Sequence, residues 1–498
     1  MYFLGVESAE SSTRALVVDL ESSKIVASAY QGHILVGGVP IGHQEQDPRM
    51  WVSALDHTVK ECLFSLGEAR HEVVAMSIAA QSHGLVLLDE NNQVLRPAKI
   101  SGDESARKQL DHLNRNFGGA PGLSEILGNR MDLNAIAPKL LWVKEREPAN
   151  FQKTASVMQP REFISFWLTG VRKAEAGEAS VSGLFDVVNR QWSEEILAFI
   201  DPRLKEMLSP LAAANESHLG NLRPEIAKSW GLNREIRVSL GSGLTMMRAL
   251  SVGNASPGMA VLDFGVTGAV WGLGEKPCVD PRSEASLWRD ATGNWLSHFN
   301  EERAVSSLEM VRAHYDWSGL EMEQAASQAS LGAGGLMVLP LGHGSHTGKG
   351  EGMFHGITTM NFTPGNVARA TLEGIATGLS FGFHRMLELG LSFDEIRVAG
   401  RGAGSRFWRQ LIADVTGVPS CAVKNDEGVA LGAAIHAAVN FLRESGQEMG
   451  FAGMAEYAVP IDQESRCEPD EDRHEFYMEQ LSRQQYLAET LIGAGFLV

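Results

Sequence analysis

The segment GMFHGITTMNFTPGNVARATLE, residues 352–373, decides the fold of this 498-residue chain. It opens with a glycine-containing loop and then changes to apolar residues at helical spacing, which predicts a helix with one buried side. The predicted buried positions are Val367, Ala370, Leu372 and Ile375. Considered only as structure, the segment indicates a core helix. Whether it also indicates a function depends on the rest of the chain.

Length and charge restrict the class of protein. At about 150 residues per domain the chain predicts two to four domains, and we expect two large ones. The net charge is −18, from 61 acidic and 43 basic residues, so the overall field repels nucleic acid. The four cysteines form no C-x-x-C pair, which argues against a zinc site or a redox motif.

The chain shows no targeting or membrane signal. It reaches Glu7 before any apolar segment long enough for export could form. We find no stretch of about eighteen apolar residues, and therefore predict no membrane span. The expected compartment is the cytoplasm.

Two similar hairpins lie in the two halves of the chain. Residues 2–6 and 14–20 are apolar runs separated by a small polar turn, which predicts a β-hairpin. Residues 259–264 and 269–273 repeat this plan around a second glycine-containing turn. With amphipathic helices such as residues 50–66 between strands, the pattern predicts an α/β architecture built from two related halves.

A glycine-rich turn occurs late in the chain. It runs from Gly400 to Ser405, between a predicted strand at 395–399 and a predicted helix at 407–416. Glycines allow close approach of the backbone, and a helix N-terminus offers free N–H groups to an anion or nucleotide. A tight structural turn is the alternative interpretation.

The opening segment fits the second signature pattern of the FGGY carbohydrate kinases, and the chain resembles that family over its whole length, most of all the xylulokinases. Further matching segments are Glu45-Gln46-Asp47-Pro48 with Trp51, Gln81-Ser82-His83-Gly84, Ala137 to Val143, and Gly400 to Ser405 with Trp408-Arg409-Gln410. The resemblance implies two ribonuclease-H-like domains of the actin-like ATPase fold flanking a cleft. We expect a sugar-side domain at residues 1–248 and a nucleotide-side domain at 249–498.

The resemblance also implies ligands and site residues. The expected ligands are a sugar or polyol, ATP and Mg²⁺, and the protein could form a homodimer, although no surface in the sequence identifies an interface. The implied sugar contacts are Gln81, His83 and Asp103, and Glu7 is the implied metal ligand. The implied nucleotide contacts are Glu7, Ser11, Arg14, Gly265, Thr267, Gly268, Gly400, Gly402, Ala403 and Ser405.

The position of the family's catalytic aspartate departs from the pattern. The family's G-G-G-D-N turn corresponds to residues 241–245, in which Leu244 replaces the aspartate. No Asp or Glu occurs from Ile236 to Leu262, so a shifted alignment cannot restore a base. Leucine cannot accept a proton, and the general-base contribution of about 10² to 10⁴ in rate would be absent.

The predicted phosphate loops and the sugar-side segment also depart from the family's patterns. In the first phosphate loop Glu10 stands where a hydroxyl should face a phosphate, and like charges 4 Å apart cost about 4 kcal/mol at an effective dielectric constant of 20. The second loop has Val266 at a hydroxyl position, and the family's W-N-D-x-R segment retains only Asp103.

Two functional classes therefore remain open. The first is an ATP-dependent sugar kinase in which Asp103 or Glu7 serves in an unusual arrangement. The second is a pseudokinase that binds a sugar or nucleotide and acts as a regulator or partner. A P-loop-like stretch at residues 344–350 is one residue too short, and with its neighbouring histidines it predicts a solvated loop.

Overall fold

The computed structural model describes residues 1–214, 216, 218–232, 235–265, 267–301, 304–340 and 352–496. Val266 and the histidine-containing stretch at 344–350 lie outside these residues. The described helices include none that is long and apolar enough to cross a bilayer.

The strands are β1 (Tyr2–Ser8), β2 (Ser12–Asp19), β3 (Lys24–Gly32), β4 (Glu45–Gln46), β5 (Val73–Ala80), β6 (Val86–Leu88), β7 (Ala98–Lys99), β8 (Ser156–Met158), β9 (Phe185–Asp186), β10 (Gln191–Trp192), β11 (His218–Asn221), β12 (Arg237–Ser239), β13 (Ser242–Gly243), β14 (Gly258–Phe264), β15 (Gly268–Gly274), β16 (Ser286–Arg289), β17 (Trp295–Glu301), β18 (Met337–Leu339), β19 (Met353–His355), β20 (Phe393–Gly400), β21 (Ser420–Val423) and β22 (Ile461–Cys467).

The helices are α1 (Pro48–Leu66), α2 (Arg107–Asn116), α3 (Gly119–Leu127), α4 (Ile136–Arg146), α5 (Pro148–Lys153), α6 (Pro160–Thr169), α7 (Ala176–Ser180), α8 (Glu194–Ile200), α9 (Leu204–Met207), α10 (Pro224–Ser229), α11 (Leu244–Ser251), α12 (Ala304–Tyr315), α13 (Gly319–Gln328), α14 (Pro364–Glu388), α15 (Arg406–Thr416), α16 (Val429–Glu444), α17 (Phe451–Ala458) and α18 (Glu471–Gly493).

The chain forms two compact units. Unit 1 contains Met1–Ala255, Glu275–Trp295 and Glu427–Val459, and unit 2 contains Ser256–Gly274, Leu296–Asp426 and Pro460–Val498. The chain therefore returns to unit 1 twice after first leaving it. The functional division expected between residues 248 and 249 stays a prediction.

The sheet of unit 1 has the strand order β11-β12-β5-β1-β2-β3, with β13 also paired to β5. Strands β1 and β2 form the predicted antiparallel hairpin, and β1 pairs with β5 in parallel. Helix α1 packs against β2 and β3. Apolar residues from the strands and from α1 and α6 form its main core, which includes Leu4, Trp51 and Ile78.

The sheet of unit 2 repeats this arrangement. Its strands run in the order β17-β15-β14-β20-β21-β22, with an antiparallel β14–β15 hairpin and β14 parallel to β20. Helix α14, which contains much of the opening segment, begins after the cap Thr363. Its predicted buried positions Val367, Ala370, Leu372 and Ile375 are all buried, and the predicted α/β architecture is confirmed.

Helix α16 packs unusually close to the sheet of unit 1. A side chain at Gly5 would place its Cβ 2.0 Å from the carbonyl oxygen of Ala430, so only glycine allows β1 and α16 to approach this closely. The same helix meets α11 at Gly432, where a Cβ would lie 1.8 Å from the carbonyl oxygen of Met247. Helix α16 therefore sets the positions of both β1 and α11.

His436 connects α16 to β5. Because it is buried, we predict that the free energy of unfolding depends on pH. Its Nδ1 lies 3.0 Å from the hydroxyl of Ser77, and burial lowers the pKa of His436 to about 3. As pH falls below about 6.5, the unfolded chain binds a proton that the folded chain excludes. We expect the free energy of unfolding to fall by about 2 kcal/mol from this residue between pH 6.5 and 5.

Urea denaturation of wild type and His436→Gln at several pH values measures this effect. The difference in unfolding free energy between the two should change with pH over this range. Exposed His57, changed to Gln, is the control and should follow wild type. Identical pH dependence of wild type and His436→Gln would contradict the prediction.

Candidate functional site

Three parallel strand ends meet at one edge of the sheet in unit 1. Ser8 of β1 pairs with Ala80 of β5, and Ala80 pairs with Gly243 of β13. This register brings together three predicted site positions, which are Glu7, Gln81 and Leu244. Ligands of open α/β sheets bind at the carboxyl ends of parallel strands, which makes this edge the candidate site of unit 1.

Leu244 is the first residue of α11 and is half-buried. The hydroxyl of Ser242 just before it donates to Glu175 at 2.7 Å. That carboxylate also accepts the N–H groups of Gly177 and Glu178 at the start of α7. Glu175 is thus a helix cap whose carboxylate is bound by two backbone N–H groups and by Ser242.

Glu7 lies at the N-terminus of α16. Burial raises the pKa of Glu7, opposed by the positive charges of Arg14 and Arg248 and by a hydrogen bond from the backbone of Ala430. Arg14 also donates to the carbonyl oxygen of Glu427 at 2.6 Å and to its carboxylate at 3.2 Å. Positive charge from two guanidinium groups and from the N-terminus of α16 therefore acts on the carboxylate of Glu7.

A magnesium ion at Glu7 would be held by this one carboxylate together with water and the phosphates of a bound nucleotide. Burial raises the pKa of Glu7 and two positive charges act on its carboxylate, and both effects weaken it as a cation ligand. The assignment of Glu7 as a metal ligand stays a prediction without support from this geometry.

Gln81 belongs to a buried network below the first predicted phosphate loop. Its side-chain amide donates to Gln46 at 3.1 Å, and Gln46 in turn donates to the carbonyl oxygen of Glu10 at 2.6 Å. Trp51 donates to the same Gln46 oxygen at 2.8 Å. The E-Q-D-P segment thus fixes the loop backbone, whereas Ser11 in the same loop is exposed.

The ammonium group of Lys139 joins three turns near this edge. Its Nζ donates to the carbonyl oxygens of His83, Ile100 and Asn134 at 2.8, 2.9 and 2.8 Å. The side chain is fully buried, and burial lowers the pKa of Lys139 to about 7, opposed by the charges of Asp103 and Asp132. One lysine therefore sets the relative positions of these turns.

His83 and Asp132 are brought close together by these turns. His83 has a φ of +67°, which is uncommon for a residue with a Cβ. Burial lowers the pKa of His83 to about 4, opposed by the charge of Asp132. Burial alone would raise the pKa of Asp132. The charges of Arg130 and His83 and the N–H of Asn134 have the larger combined effect and hold the pKa of Asp132 below its usual value.

Asp103 is fully buried within an ionic network. Its carboxylate accepts from Lys99 at 3.2 Å, from the N–H of Gln44 at 2.9 Å and from the hydroxyl of Ser105. Lys99 also lies 3.2 Å from Glu45, and its ammonium occupies the space among carboxylates that could otherwise suit a cation. Direct contact of Asp103 with a ligand would require this network to open.

A matching edge occurs in unit 2. Phe264 at the end of β14 pairs with Gly400 at the end of β20, so the two predicted nucleotide turns are adjacent. Gly265 is exposed, Thr267 is half-buried and Gly268 is buried. The N–H of Arg401 donates to the carbonyl oxygen of Phe264 at 3.0 Å, which links the two turns directly.

The glycines of the later turn allow this close approach. Gly400 has a φ of +70°, and a Cβ there would lie 2.5 Å from the carboxylate of Asp263. A Cβ at Gly402 would meet the Phe264 ring at 2.6 Å, whereas Ala403 is half-buried and nothing lies near Gly404. Ser405 caps α15 by accepting from the N–H of Trp408.

Comparison with known proteins identifies the family. The FGGY family of carbohydrate kinases, N-terminal domain, matches residues 2–251, and its C-terminal domain matches residues 269–441. The chain belongs to the FGGY family of carbohydrate kinases. Xylulose kinase of Haemophilus influenzae is 30% identical over 97% of this chain and 99% of its own length. Xylulose kinase of Escherichia coli is 29% identical over 87% of this chain and 88% of its own length.

Solved structures confirm the predicted fold of this FGGY protein. A xylulose kinase from Rhodospirillum rubrum superposes with a TM-score of 0.89 at 24% identity, covering 99% of each chain. A ligand-bound xylulose kinase from Lactobacillus acidophilus has the same TM-score at 21% identity, covering 99% of this chain and 98% of that one. The ribonuclease-H-like, actin-like ATPase fold is therefore correct.

Reasoning from the sequence missed Asp132 and the role of Lys139. Both lie within or just before the A-P-K-L-L-W-V segment that carries the resemblance, but their contacts come from turns distant in sequence. Asp132 retains 31% of its side-chain exposure. It is a half-buried carboxylate 3.8 Å from the guanidinium group of Arg130, and its charge interacts with His83, a predicted sugar contact.

Lys139→Met tests the junction of the three turns. Loss of the ammonium leaves three carbonyl groups without their donor, and each buried unsatisfied group costs about 1 to 3 kcal/mol. We expect a loss of about 3 kcal/mol or more in unfolding free energy, measured by urea denaturation. Lys144→Met on the same helix removes a partly exposed ammonium and should cost below about 1 kcal/mol. Equal losses in both variants would contradict the assignment.

Proposed function

We propose that this FGGY protein binds a sugar or polyol in unit 1 and an adenine nucleotide in unit 2 but lacks the phosphotransfer rate of an ordinary carbohydrate kinase. It then acts as a ligand-binding regulator or partner. The observation that carries the proposal is Leu244 at the carboxyl end of β13, where the family pattern has its aspartate. A sugar hydroxyl is a weak nucleophile, and a base must lie within about 3 Å of it.

Three other carboxylates of unit 1 that could serve as the base already have partners. Positive charge from Arg14, Arg248 and the N-terminus of α16 acts on Glu7, and Glu175 caps α7. Asp103 is fully buried beside Lys99. These contacts argue against the alternative of an active kinase that uses Glu7 or Asp103 as its base.

The sugar-binding part of the proposal rests on the edge around His83. The neutral imidazole of His83 and the ionised carboxylate of Asp132 offer complementary groups for the hydroxyls of a sugar or polyol. Relatives at about 30% identity are xylulose kinases, so a ketopentose is the first ligand to test.

The nucleotide-binding part rests on the turn from Gly400 to Ser405. Among the described residues, the N–H groups of Gly402 and Gly404 have no hydrogen-bond partner. Gly404 is exposed and faces open space, which leaves room for a planar base or a ribose close to the backbone. Gly265, Thr267 and Gly268 lie next to this turn, which supports them as phosphate contacts.

Phosphotransfer by wild type, Leu244→Asp and Leu244→Asn tests the central proposal. ADP formation is measured with ATP, Mg²⁺ and a panel of ketoses and polyols. We expect wild type and Leu244→Asn to be silent. Restoring the carboxylate should raise the rate by at least about 10²-fold, since a positioned general base contributes about 10² to 10⁴.

Calorimetric titration of the same proteins with the same sugars separates binding from chemistry. Wild type should bind at least one sugar while forming no ADP. Turnover by wild type at an ordinary kinase rate would overturn the proposal. Absence of both binding and turnover would overturn the ligand-binding role.

Asp132→Asn tests the proposed sugar contact. A hydrogen bond to a charged group contributes about 1.5 to 3 kcal/mol, so we expect sugar affinity to fall by about 10- to 100-fold. The exposed surface residue Asp111, changed to Asn, is the matched control and should leave affinity unchanged. Unchanged affinity in Asp132→Asn would remove this residue from the site.

A further inference from the structure

Helix α2 begins with positive charge. Its first two residues are Arg107 and Lys108, its first turn has no acidic residue, and its N-cap Ala106 makes no side-chain hydrogen bond. The N–H of Lys108 has no hydrogen-bond partner among the described residues. A helix N-terminus carries partial positive charge and favours anions, so two cations there oppose the usual preference. Sequences that break such a local rule often do so at a functional site.

An open cavity of about 560 Å³ lies against the start of α2. Arg146, the last residue of α4, lines it together with Arg107 and Lys108. Arg107 lies 3.9 Å from the carboxylate of Glu104, whereas Lys108 and Arg146 have no carboxylate within 4.0 Å in the described part of the chain. Glu104 and Asp111 are the acidic groups of the lining. The lining is therefore net positive on a chain whose net charge is −18.

Gln109 adds a buried acceptor to the cavity wall. It lines the cavity and is only 4% exposed. Its Nε2 donates to the carboxylate of Glu145 at 2.7 Å. An ionised carboxylate accepts but cannot donate, so the nitrogen faces Glu145 and the orientation of the amide is fixed. The Oε1 of Gln109 is buried and accepts no hydrogen bond from a described residue. A hydroxyl group is the kind of donor that this oxygen suits.

Trp142 and Ser105 connect the cavity to the ionic network around Asp103. Both line the cavity. The ammonium of Lys99 lies 3.9 Å from the centre of the Trp142 ring and 2.8 Å from the hydroxyl of Ser105. Lys99 in turn lies 3.2 Å from the carboxylate of Asp103. A ligand that contacts Ser105 or Trp142 therefore contacts direct partners of Lys99, and none of the lining residues belongs to the strand edge at Leu244.

We propose that this cavity between α2 and α4 binds a small molecule that carries both a phosphate group and hydroxyl groups, such as a phosphorylated sugar or polyol. Ammonium and guanidinium groups bind phosphate through charge-assisted hydrogen bonds, and the fork of a guanidinium group matches two phosphate oxygens. The N–H of Lys108 at the start of α2 adds a further donor. Gln109 accepts from a hydroxyl of the same molecule. The cavity volume is within the range of small-molecule sites, about 300 to 1,000 Å³.

The charge and the donors of the lining favour phosphate over other anions. A phosphate monoester carries about −1.5 to −2 charge at pH 7 and three acceptor oxygens, which suits donors from Lys108, Arg146 and the backbone together. A carboxylate brings a single charge and two oxygens. Nucleic acid also carries phosphates, but the strongly acidic remainder of the chain repels a polyanion of that size.

Calorimetric titration of the full chain with ribose 5-phosphate and with inorganic phosphate tests the site. Ribose 5-phosphate should bind with a Kd below about 1 mM, and inorganic phosphate at least about 10-fold more weakly, because it has no ribose hydroxyl for Gln109. Lys108→Gln and Arg146→Gln should each weaken ribose 5-phosphate binding by about 10-fold or more through loss of a charge-assisted hydrogen bond. Arg115→Gln, exposed in the last turn of α2, changes the net charge equally and is the matched control.

Gln109→Met separates the hydroxyl contact from the phosphate contacts. It should weaken ribose 5-phosphate by about 10-fold and leave the affinity for inorganic phosphate unchanged, because only the ribose supplies a donor to the amide oxygen. Since Gln109 is buried, urea denaturation checks that this variant is folded. Lys108 and Arg146 are exposed, so their variants test the site without disturbing the core.

Each outcome decides the proposal. Absence of ribose 5-phosphate binding up to about 10 mM overturns it. Equal affinity in wild type, Lys108→Gln and Arg146→Gln also overturns it, because the ligand then lies elsewhere, for example at the strand edge. Inorganic phosphate that binds as tightly as ribose 5-phosphate overturns the assignment of a hydroxylated ligand. No readout measures ADP formation or involves Leu244, so this proposal and the proposed function fail separately.

Discussion

The close approach of α16 to β1 and α11 is the constraint on which the candidate site of unit 1 depends. Gly5 and Gly432 remove the two Cβ atoms that would otherwise keep these elements apart. The approach brings the N-terminus of α16 to Glu7, whose carboxylate it binds through the backbone of Ala430. It also fixes α11, whose first residue is Leu244. A helix from the last segment of unit 1 thereby positions residues from its first segment.

The site retains its strands and turns, whereas its charged groups contact helix N-termini or one another. Glu7 interacts with the N-terminus of α16, Glu175 caps α7, and Asp103 pairs with Lys99. Lys139 continues to bind the turns that carry His83 and Asn134. A carboxylate that caps a helix or pairs with a buried ammonium stabilises the fold but is not free to accept a proton from a substrate.

Much of the fold could be predicted from the sequence. The hairpins, helix α14 and its buried side, and the glycine-rich turn before α15 follow from local patterns of apolar residues and glycines. The contacts of Lys139 could not be predicted, because its three carbonyl partners lie in separate turns. The sequence also placed Asp103 among the sugar contacts, and only the fold shows that Lys99, four residues earlier, pairs with it in a buried position.

The sequence by itself determined the family and the absence of a carboxylate around Leu244, because both are properties of residue identity along the chain. Tertiary structure decided what the remaining carboxylates do. The ionisation and partners of Glu7, Asp103 and Asp132 depend on burial and on charges brought near by packing. It also decided that residues 25–32 lie on an open sheet edge, since an uncharged segment is compatible with a core or a surface position until the strand order is known.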